Sequence, residues 1–465
     1  MQKEFTMKNK RIIGLIVGVL VAIIINLMPL DGLSAEGKMC LALSLMTVVF
    51  WAFQIVQSGY SSGLYLVLLI IFKVADPSVV LSPWVGSTIY LVIGAYLIAS
   101  AVKSSGLGER IAYSFIIKFV NTYKSIIISV FVLTFILSIL IPHPWPRAFI
   151  IMSVMSVVIK SANIPKEDAV NIGFSVFAAA VPVSMVFLTG DSAINSMAVQ
   201  ASGVDINWMQ WFIYMGPPAI MASILTCILI LILFKPTREV RINKEEIKEK
   251  LNLLGPLTNK EKRTLIWLLA AIVLWLTDSV HGIETGWITL LVAMLMSLPV
   301  IGEILEPRQW GEVPIHVIMF LAAAMAIGKV GAATGMNNWI AETVLPSSIP
   351  SNPYALAIII AVISMGIHMI LGSVIAVLGI AIPALLIFTE PMNINPMITT
   401  FLVYSAIGAH YILPFHHLDV LVGQGKENGM YGQKEVIRLG IPLTAVVFII
   451  IIFEIIYWKL LGLIN

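Results

Sequence analysis

The chain has 465 residues, of which 59% are hydrophobic and 11% charged, and its mean hydropathy is +0.97. Soluble domains carry about 25% charged residues, so this composition excludes a soluble globular protein and indicates a polytopic helical membrane protein. The net charge of +3 is uninformative as a total, and Cys40 and Cys227 lie in apolar segments that predict no disulfide framework.

Apolar stretches of about 20 residues, the length of a membrane-crossing helix, recur along the chain. The first, 11–30, is interpreted as a span and not as a signal peptide, because no small-residue cleavage site follows it. About eleven spans are predicted, in chain order 11–30, 38–57, 60–76, 86–104, 168–200, 210–234, 264–281, 285–300, 314–331, 398–424 and 437–463. The spans 168–200 and 398–424 contain polar residues and are predicted to be broken.

Two further apolar stretches, 125–161 and 354–388, are too long for one crossing. Pro142-His143-Pro144-Trp145-Pro146 interrupts the first, and Leu371-Gly372-Ser373 interrupts the second. Since proline and glycine interrupt helices, both stretches are predicted to be re-entrant hairpins that enter and leave on the same side of the membrane. The alternative is two ordinary crossings for each stretch.

Lysine and arginine concentrate in the cytoplasmic loops of membrane proteins. Here they cluster in the N-terminal segment and in 105–124, 235–263 and 425–438. The segments that contain none are 76–83, 201–209, 281–286 and 332–353. Eleven spans and two hairpins place every basic segment inside, with a cytoplasmic N-terminus and an external C-terminus. Counting each hairpin as two crossings preserves the same alternation, so charge does not separate these arrangements.

The two halves of the chain repeat one another. Residues 91–107 resemble 320–336 at an offset of 229 residues, and an interrupted hairpin and a broken span follow each copy. Residues 1–234 and 264–465 are therefore predicted to be inverted-topology repeats, a pattern typical of secondary transporters whose binding site lies between the paired breaks. The mixed glutamates and lysines of 235–263 predict a solvated cytoplasmic linker and not a nucleic-acid-binding patch.

The interruptions in the first half carry polar residues suited to an anion. His143 and Arg147 lie at the hairpin tip, and a guanidinium can bind a carboxylate, sulfate or phosphate in a bidentate manner. The alternatives for Arg147 are snorkelling to the interface or a structural pair with Asp191, which could instead bind a cation or a proton. Helix N-termini beyond such a break also favour anions. The substrate-binding candidates in the broken span are Thr189, Gly190, Asp191, Ser192 and Asn195.

In the second half the candidates are Ser373 at the hairpin tip and His416, His417 and Asp419 in the broken span. Histidine can donate a hydrogen bond to an anion, carry a proton or bind a metal ion. No HExxH motif is present, and no metal site is predicted. A single histidine in an apolar span can equally be a packed core residue, but the pair beside the break is favoured as ligand-binding.

This layout resembles the divalent anion/sodium symporter family, within the ion-transporter superfamily, over nearly the whole chain. Residues 137–150 (LSILIPHPWPRAFI) and 371–383 (LGSVIAVLGIAIP) correspond to the two hairpin tips of the family. Gly190-Asp191-Ser192-Ala193 and Leu413-Pro414-Phe415-His416-His417 correspond to its two broken spans. The resemblance implies eleven spans, two re-entrant hairpins, a homodimer and transport of a small anion.

The Ser-Asn-Thr tip motifs of the family, which hold sodium ions and substrate carboxylates there, are absent. Pro142-His143-Pro144 and Ser373-Val374-Ile375 stand in their place, and most of these side chains cannot supply oxygen ligands. We expect Arg147 and protonatable histidines to replace one or both sodium ions. Transport would then be proton-coupled, an exchange, or sodium-coupled at one reduced site. The coupling ion, Na⁺ or H⁺, is expected at Ser138, Asp191, Ser373 and Asp419, and no other cofactor is predicted.

The sequence thus predicts an all-α secondary transporter of a small anion, such as a di- or tricarboxylate or sulfate, in the plasma (inner) membrane. A transport domain of both hairpins and spans 4, 5, 9 and 10 would move against a scaffold of the other spans in an elevator-type cycle. One alternative is a cation or metal transporter or a channel in which Asp191, Asp419 and the histidines bind the ion. Another is a membrane enzyme with catalytic histidines, although no nucleophile–base pair can be identified in the sequence.

Overall fold

The computed structural model is a bundle of α-helices that follow the predicted spans. It describes residues 2–464 except 205, 240–241, 243, 345–349, 351, 390–391 and 393. The helices of the first half are α1 (Gln2–Leu27), α2 (Ala35–Phe53), α3 (Ser58–Ile71), α4 (Pro77–Val80), α5 (Ser87–Ser105), α6 (Leu107–Phe119), α7 (Tyr123–Leu140), α8 (Pro144–Ser161), α9 (Lys166–Ser184), α10 (Ile194–Ser202) and α11 (Trp208–Leu233). The linker and the second half contain α12 (Lys244–Leu253), α13 (Asn259–Leu276), α14 (Asp278–His281), α15 (Thr285–Leu295), α16 (Ile315–Ala333), α17 (Met336–Val344), α18 (Pro353–Leu371), α19 (Val374–Thr389), α20 (Pro396–Gly408), α21 (Leu418–Val422) and α22 (Gln433–Leu460).

The order of helices repeats between the two halves. Helices α7 and α18 begin at residues 123 and 353, α8 and α19 at 144 and 374, and α9 and α20 at 166 and 396, a constant spacing of 230 residues. A short helix follows α5 and α16 alike, namely α6 and α17. The repeat predicted from residues 91–107 and 320–336 therefore extends through each half, and its opposite orientation in the membrane stays a prediction.

Seven helices of the described residues are at least 18 residues long and apolar enough to cross a bilayer. Helices α3, α15 and α20 are apolar but shorter. Helix α15 has 11 residues and is about 16 Å long, roughly half of a 30 Å hydrocarbon core. The predicted span 285–300 is thus helical over only part of its length, and the count of eleven spans stays a prediction.

Helix α6 lies in the basic segment 105–124, where no helix was predicted. A search for apolar stretches misses helix α6 because its charged residues lower the mean hydropathy of the segment. Its apolar positions Ala112, Tyr113 and Ile116 are buried, and Ile116 follows the other two by four and three residues, as on one face of a helix. A period of 3.6 residues was therefore the available signal, and it predicts a short amphipathic helix.

Backbone preferences of a few residues interrupt both hairpin stretches. Pro144 and Pro146 fall in the first turn of α8, where the amide that proline lacks is not needed for helical bonding. Helix α18 ends at Leu371 and is followed by Gly372, whose φ of +66° suits glycine, and α19 begins at Val374. Each stretch forms two helices joined by a short turn, which both the re-entrant and the two-crossing arrangement require.

Arg110 of α6 binds the linker between the two halves through hydrogen bonds. Its Nε donates to Glu261 Oε1 at 2.6 Å, and its Nη1 donates to the carbonyl of Gly255 at 2.9 Å. Glu261 also accepts from the amide and the hydroxyl of Thr258 and so caps α13. Burial alone would raise the pKa of Glu261, but the hydrogen bonds from Arg110 and Thr258 outweigh it, so its pKa is lowered.

We expect Glu261→Gln to lower the melting temperature at neutral pH, because a hydrogen bond to a charged group contributes about 1.5–3 kcal/mol. Since folding lowers the pKa of Glu261, the stabilisation is present above the ordinary glutamate pKa of about 4.3 and is lost as the pH falls below it. The two melting temperatures should therefore converge in acid. Thermal unfolding in detergent at several pH values measures this difference.

The matched control for Glu261→Gln is Glu245→Gln, which removes an exposed ion pair with Lys248. Exposed pairs contribute about 0–1 kcal/mol, so this variant should melt close to the wild type. Equal losses of stability in the two variants, or a difference that persists in acid, would contradict the role assigned to Glu261.

Candidate functional site

The first break is the unwound segment 185–193 between α9 and α10. Pro182 lies inside the last turn of α9 and lacks the amide that would continue the helical hydrogen bonds. The carboxamide of Asn195 reaches back, and its Nδ2 donates to the carbonyls of Ser184 at 2.9 Å and Phe187 at 2.8 Å. A side-chain amide thus replaces lost helical donors, as an irregular backbone inside a membrane requires.

Arg147 fastens the first hairpin tip to this break. It is fully buried in the first turn of α8. Its Nη1 donates to the carbonyls of Gly190 at 2.6 Å and Ile141 at 3.2 Å, and its Nη2 donates to Ser184 Oγ. A Cβ atom at residue 190 would clash with the carbonyl oxygen of Ser184 and lie 3.0 Å from that of Phe187, so glycine permits the break to fold back against the end of α9.

Two carboxyl groups flank the junction between the tip and the break. Oδ1 of Asp191 accepts from the amides of Ala193 and Ile194, both at 3.1 Å, and caps α10. Oδ1 of Asp419 accepts from Trp145 Nε1 at 2.9 Å, which joins α21 to the first tip. Both carboxyl groups interact electrostatically with the buried guanidinium. If both are ionised, that guanidinium leaves one negative charge unbalanced.

His416 and His417 complete the backbone bonding of the second break, which follows α20. Nδ1 of His416 accepts from the amides of Ile412 and Leu413, both at 3.2 Å. Nδ1 of His417 accepts from the amide of Asp419 at 3.3 Å and caps α21. Because an accepting ring nitrogen carries no proton, both neutral imidazoles carry their proton on Nε2.

A cavity of about 420 Å³ lies beside the second tip, within the roughly 300–1,000 Å³ of small-molecule pockets. On one side it is lined by residues of both tips, of the second break and of the start of α10, which follows the first break, namely Trp145, Gly372, Ser373, Phe415, His416 and Ile194. On the other side it is lined by residues from the first three spans, among them Arg11, Trp51, Gln54 and Gln57.

The structure places the predicted substrate residues in two regions. Ser373 and His416 line the cavity. A second group lies instead at the buried junction behind the first tip and consists of Arg147, Gly190, Asp191 and Asp419. His417 belongs to this second region, with Nδ1 3.8 Å from Oδ2 of Asp419.

Other predicted residues use their polar groups to hold the backbone or neighbouring helices. Thr189 Oγ1 accepts from Trp208 Nε1 at 3.0 Å, and Asn195 Oδ1 accepts from the hydroxyl of Tyr404. Ser138 donates to the carbonyl of Phe135 at 2.7 Å within α7.

Two predicted residues of the first half differ in how their polar groups are used. His143 caps α8 by accepting from the amide of Trp145 at 3.2 Å, and its ring centroid lies 4.2 Å from that of Tyr96. Ser192 is fully buried, and its Oγ has no hydrogen-bond partner among the residues that the structure describes.

Sequence reasoning missed Trp145 as the partner of Asp419 and missed the scaffold residues Arg11, Gln54 and Gln57. The bond from Trp145 to Asp419 joins residues 274 positions apart, and no pattern of spacing indicates such a pair. Arg11 was counted only as a topology signal. Within the described ranges, no three His, Cys, Asp or Glu side chains come together to hold a metal ion.

We expect Arg147→Met to destabilise the protein strongly, because it leaves the buried carbonyls of Gly190 and Ile141 without donors. Each buried polar group left unsatisfied costs about 1–3 kcal/mol. Thermal unfolding in detergent measures the loss, and Arg11→Met, at an exposed arginine, is the matched control. An Arg147→Met protein that melts with the wild type would show that the guanidinium is not a structural anchor.

Paired hairpins, paired broken helices and a cavity lined by both tips, the second break and the start of α10 are the features of a membrane transport protein. The chain matches the family described as "Sodium:sulfate symporter transmembrane region" over residues 9–464, and it belongs to that family. It is therefore a multi-pass membrane transporter and not an enzyme, and the family resemblance seen in the sequence is confirmed.

Three relatives span much of the chain. A membrane protein of Cupriavidus necator is 25% identical over 477 residues, covering 97% of this chain and 93% of the relative. A sodium-dependent dicarboxylate transporter of Staphylococcus saprophyticus is 24% identical over 434 residues, which cover 87% of this chain and 83% of the relative. A citrate/succinate antiporter of Escherichia coli K12 is 24% identical, with coverage of 64% and 63%.

Proposed function

We propose that this chain is a secondary active transporter of a small di- or tricarboxylate that binds in the cavity beside the second tip. The observation that carries the proposal is that one cavity is lined by residues of both hairpin tips, of the second break and of the start of α10, which follows the first break. The names of two relatives, a sodium-dependent dicarboxylate transporter and a citrate/succinate antiporter, support this class of substrate.

The cavity offers positive charge and hydrogen-bond donors to an anion from two sides. Helix α19 has 16 residues and begins at Val374, so its free amides and the positive end of its dipole lie at the tip. His416 is 2% exposed and lines the same cavity, and its Nε2, which carries the ring proton, has no partner in the described part of the chain. Arg11 on the opposite wall supplies a charge for a second carboxylate.

The coupling cation, a proton or a sodium ion, is assigned in this proposal to the junction behind the first tip. If both are ionised, the carboxylates of Asp191 and Asp419 carry two negative charges, and the guanidinium of Arg147 balances one of them. Oδ2 of Asp419 is buried and accepts no hydrogen bond from the described residues. One bound cation would balance the charge and use this oxygen. Ser138 and Ser373, the other residues expected to hold the ion, lie on α7 and at the second tip.

The proposed cycle moves the hairpins, α5, α9, α10, α16, α20 and α21 as one unit against the remaining membrane helices. The cavity lies between these two parts, because Arg11, Gln54 and Gln57 belong to the scaffold. The basic segments place these residues on the cytoplasmic side, so the cavity corresponds to an inward-open state. A homodimer in the plasma membrane, with an external C-terminus, follows from the family resemblance and the charge pattern.

We expect His416→Asn to raise the KM for a dicarboxylate roughly tenfold with a small effect on folding. Asparagine keeps an acceptor for the amides of Ile412 and Leu413 but removes the Nε2 donor. Uptake of labelled succinate, citrate and sulfate into proteoliposomes measures the change. His281→Asn is the control, because His281 lies outside the cavity and accepts from the amide of Ile283. Ion conductance without accumulation of any of these anions would favour a channel instead.

We expect Asp419→Asn to uncouple uptake from its driving ion, because the variant keeps an acceptor for Trp145 but loses the charge that binds the cation. Net accumulation should fall, while exchange of internal for external substrate continues. Imposing a sodium gradient and a pH gradient separately identifies the ion. Uptake that needs two or more sodium ions and survives Arg147→Ala would contradict this charge balance.

A further inference from the structure

Three buried histidines lie together beside the second tip. The ring centroid of His368, on α18, lies 5.4 Å from that of His416 and 6.4 Å from that of His410, which follows α20. His416 lines the cavity, whereas His368 and His410 are not among its lining residues. The two inner histidines are therefore buried titratable groups next to the proposed anion site, and the proposed function does not use them.

The hydrogen bonds of this histidine cluster fix where its protons lie. Nε2 of His368 is 2.9 Å from the carbonyl oxygen of His416. Because a carbonyl oxygen only accepts, this Nε2 carries the ring proton, and Nδ1 of a neutral His368 is a bare acceptor. Nε2 of His410 is 3.0 Å from Thr444 Oγ1. The cluster thus extends from the cavity, through His416 and His368, to α22.

Each of the three rings has one nitrogen that is not used. Nδ1 of His368, Nδ1 of His410 and Nε2 of His416 are buried and have no hydrogen-bond partner among the described residues. A direct bond between two imidazoles requires centroids within about 5 Å of one another. At 6.4 Å, the rings of His368 and His410 are too far apart for such a bond and close enough for one water molecule to bridge. Nδ1 of His368 can therefore accept a proton and share it with His410.

The first repeat shows that the fold does not require this cluster. At the constant spacing of 230 residues between the repeats, the three histidines correspond to a serine, an alanine and a valine, namely Ser138, Ala180 and Val186. None of these side chains can take up a proton near neutral pH. The histidines are therefore a property of the second half, where the cavity lies, and not of the helix packing.

The surroundings of His368 keep it neutral while the cavity is empty. Helix α18 packs against α2, α19, α20, α22 and residues 414–416. The titratable groups of the described residues that act on His368 are His410, His416 and His417, none of which carries a negative charge. The other titratable residues of these helices are outside this set, namely Glu36, Lys38, Cys40, Tyr354, Tyr404, Lys434, Glu435, Arg438, Glu454, Tyr457 and Lys459. Burial without a counter-charge disfavours an imidazolium.

We propose that His368 and His410 bind one proton when a dicarboxylate occupies the cavity, so that anion and proton are bound together. The inference rests on the proposed function and adds a proton site to the cation assigned to the junction behind the first tip. A carboxylate that accepts from Nε2 of His416 brings negative charge next to the cluster, which favours a positive charge there.

The hydrogen bonds decide which ring takes the proton. Nδ1 of His416 accepts from two backbone amides, so a proton on this atom would break both bonds. Nδ1 of His368 is free of such bonds, and the proton, which comes from water, adds there. The charged ring then donates from Nε2 to the carbonyl of His416 more strongly. His368 is thus a positioning residue that transmits the presence of the anion to the cluster.

The proton is counted from the pH dependence of anion binding. The Kd of succinate for the full-length protein in detergent is measured by isothermal titration calorimetry above about pH 7, where a dicarboxylate is fully ionised. Uptake of one proton with the anion raises the Kd about tenfold for each pH unit. In His368→Gln, which keeps a donor for the carbonyl of His416 but takes up no proton, we expect this dependence to weaken by about tenfold per pH unit.

A second variant and a control complete the test. His410→Gln keeps a contact for Thr444 and should weaken the pH dependence in the same way, whereas His281→Gln, outside the cavity, should keep that of the wild type. Equal pH dependence in the wild type, His368→Gln and His410→Gln would overturn the proposal, as would a wild-type Kd that does not change with pH. A wild type that binds neither succinate nor citrate would instead count against the proposed function.

Discussion

The guanidinium of Arg147 donates to backbone carbonyls on both sides of the junction between the first hairpin tip and the first break. These carbonyls, of Gly190 and Ile141, have no helical partner because the chain is unwound there. Removing them from water without a donor would be unfavourable, so the position of the tip depends on this contact. The tip in turn carries Trp145 to Asp419, and thereby connects the first half of the chain to the second.

Side chains satisfy the backbone at both breaks, but the residues differ. At the first break, the donors Asn195 and Arg147 bind free carbonyl groups, and Asp191 accepts from the free amides of Ala193 and Ile194. At the second break, amide groups are left free, and Nδ1 of His416 and of His417 accepts from them. The histidines that look like proton carriers in the sequence therefore have a structural role on Nδ1. Of the two, His416 has an Nε2 without a partner among the described residues, whereas His417 also bonds the backbone of Gly408.

Local signals predicted the helices well, because proline, glycine and apolar runs act within a few residues of one another. The prolines from Pro142 to Pro146 located the first tip. Ser373 and His416 line the same cavity, and their contact with a ligand stays a prediction. The roles of Thr189 and Asn195 were not predictable, since each depends on a partner, such as Trp208 or Tyr404, that lies far along the chain.

The short helix α15 has a consequence for the lipid around the protein. Its 11 residues cover about 16 Å, and its neighbours Leu298 and Val300 are exposed beyond its end. A bilayer of ordinary thickness does not match so short an apolar segment, so the lipid beside α15 is expected to thin or the helix to be covered by a neighbouring subunit. Membrane thickness thereby becomes a variable that acts on this transporter, favouring thin bilayers or assembly through this edge.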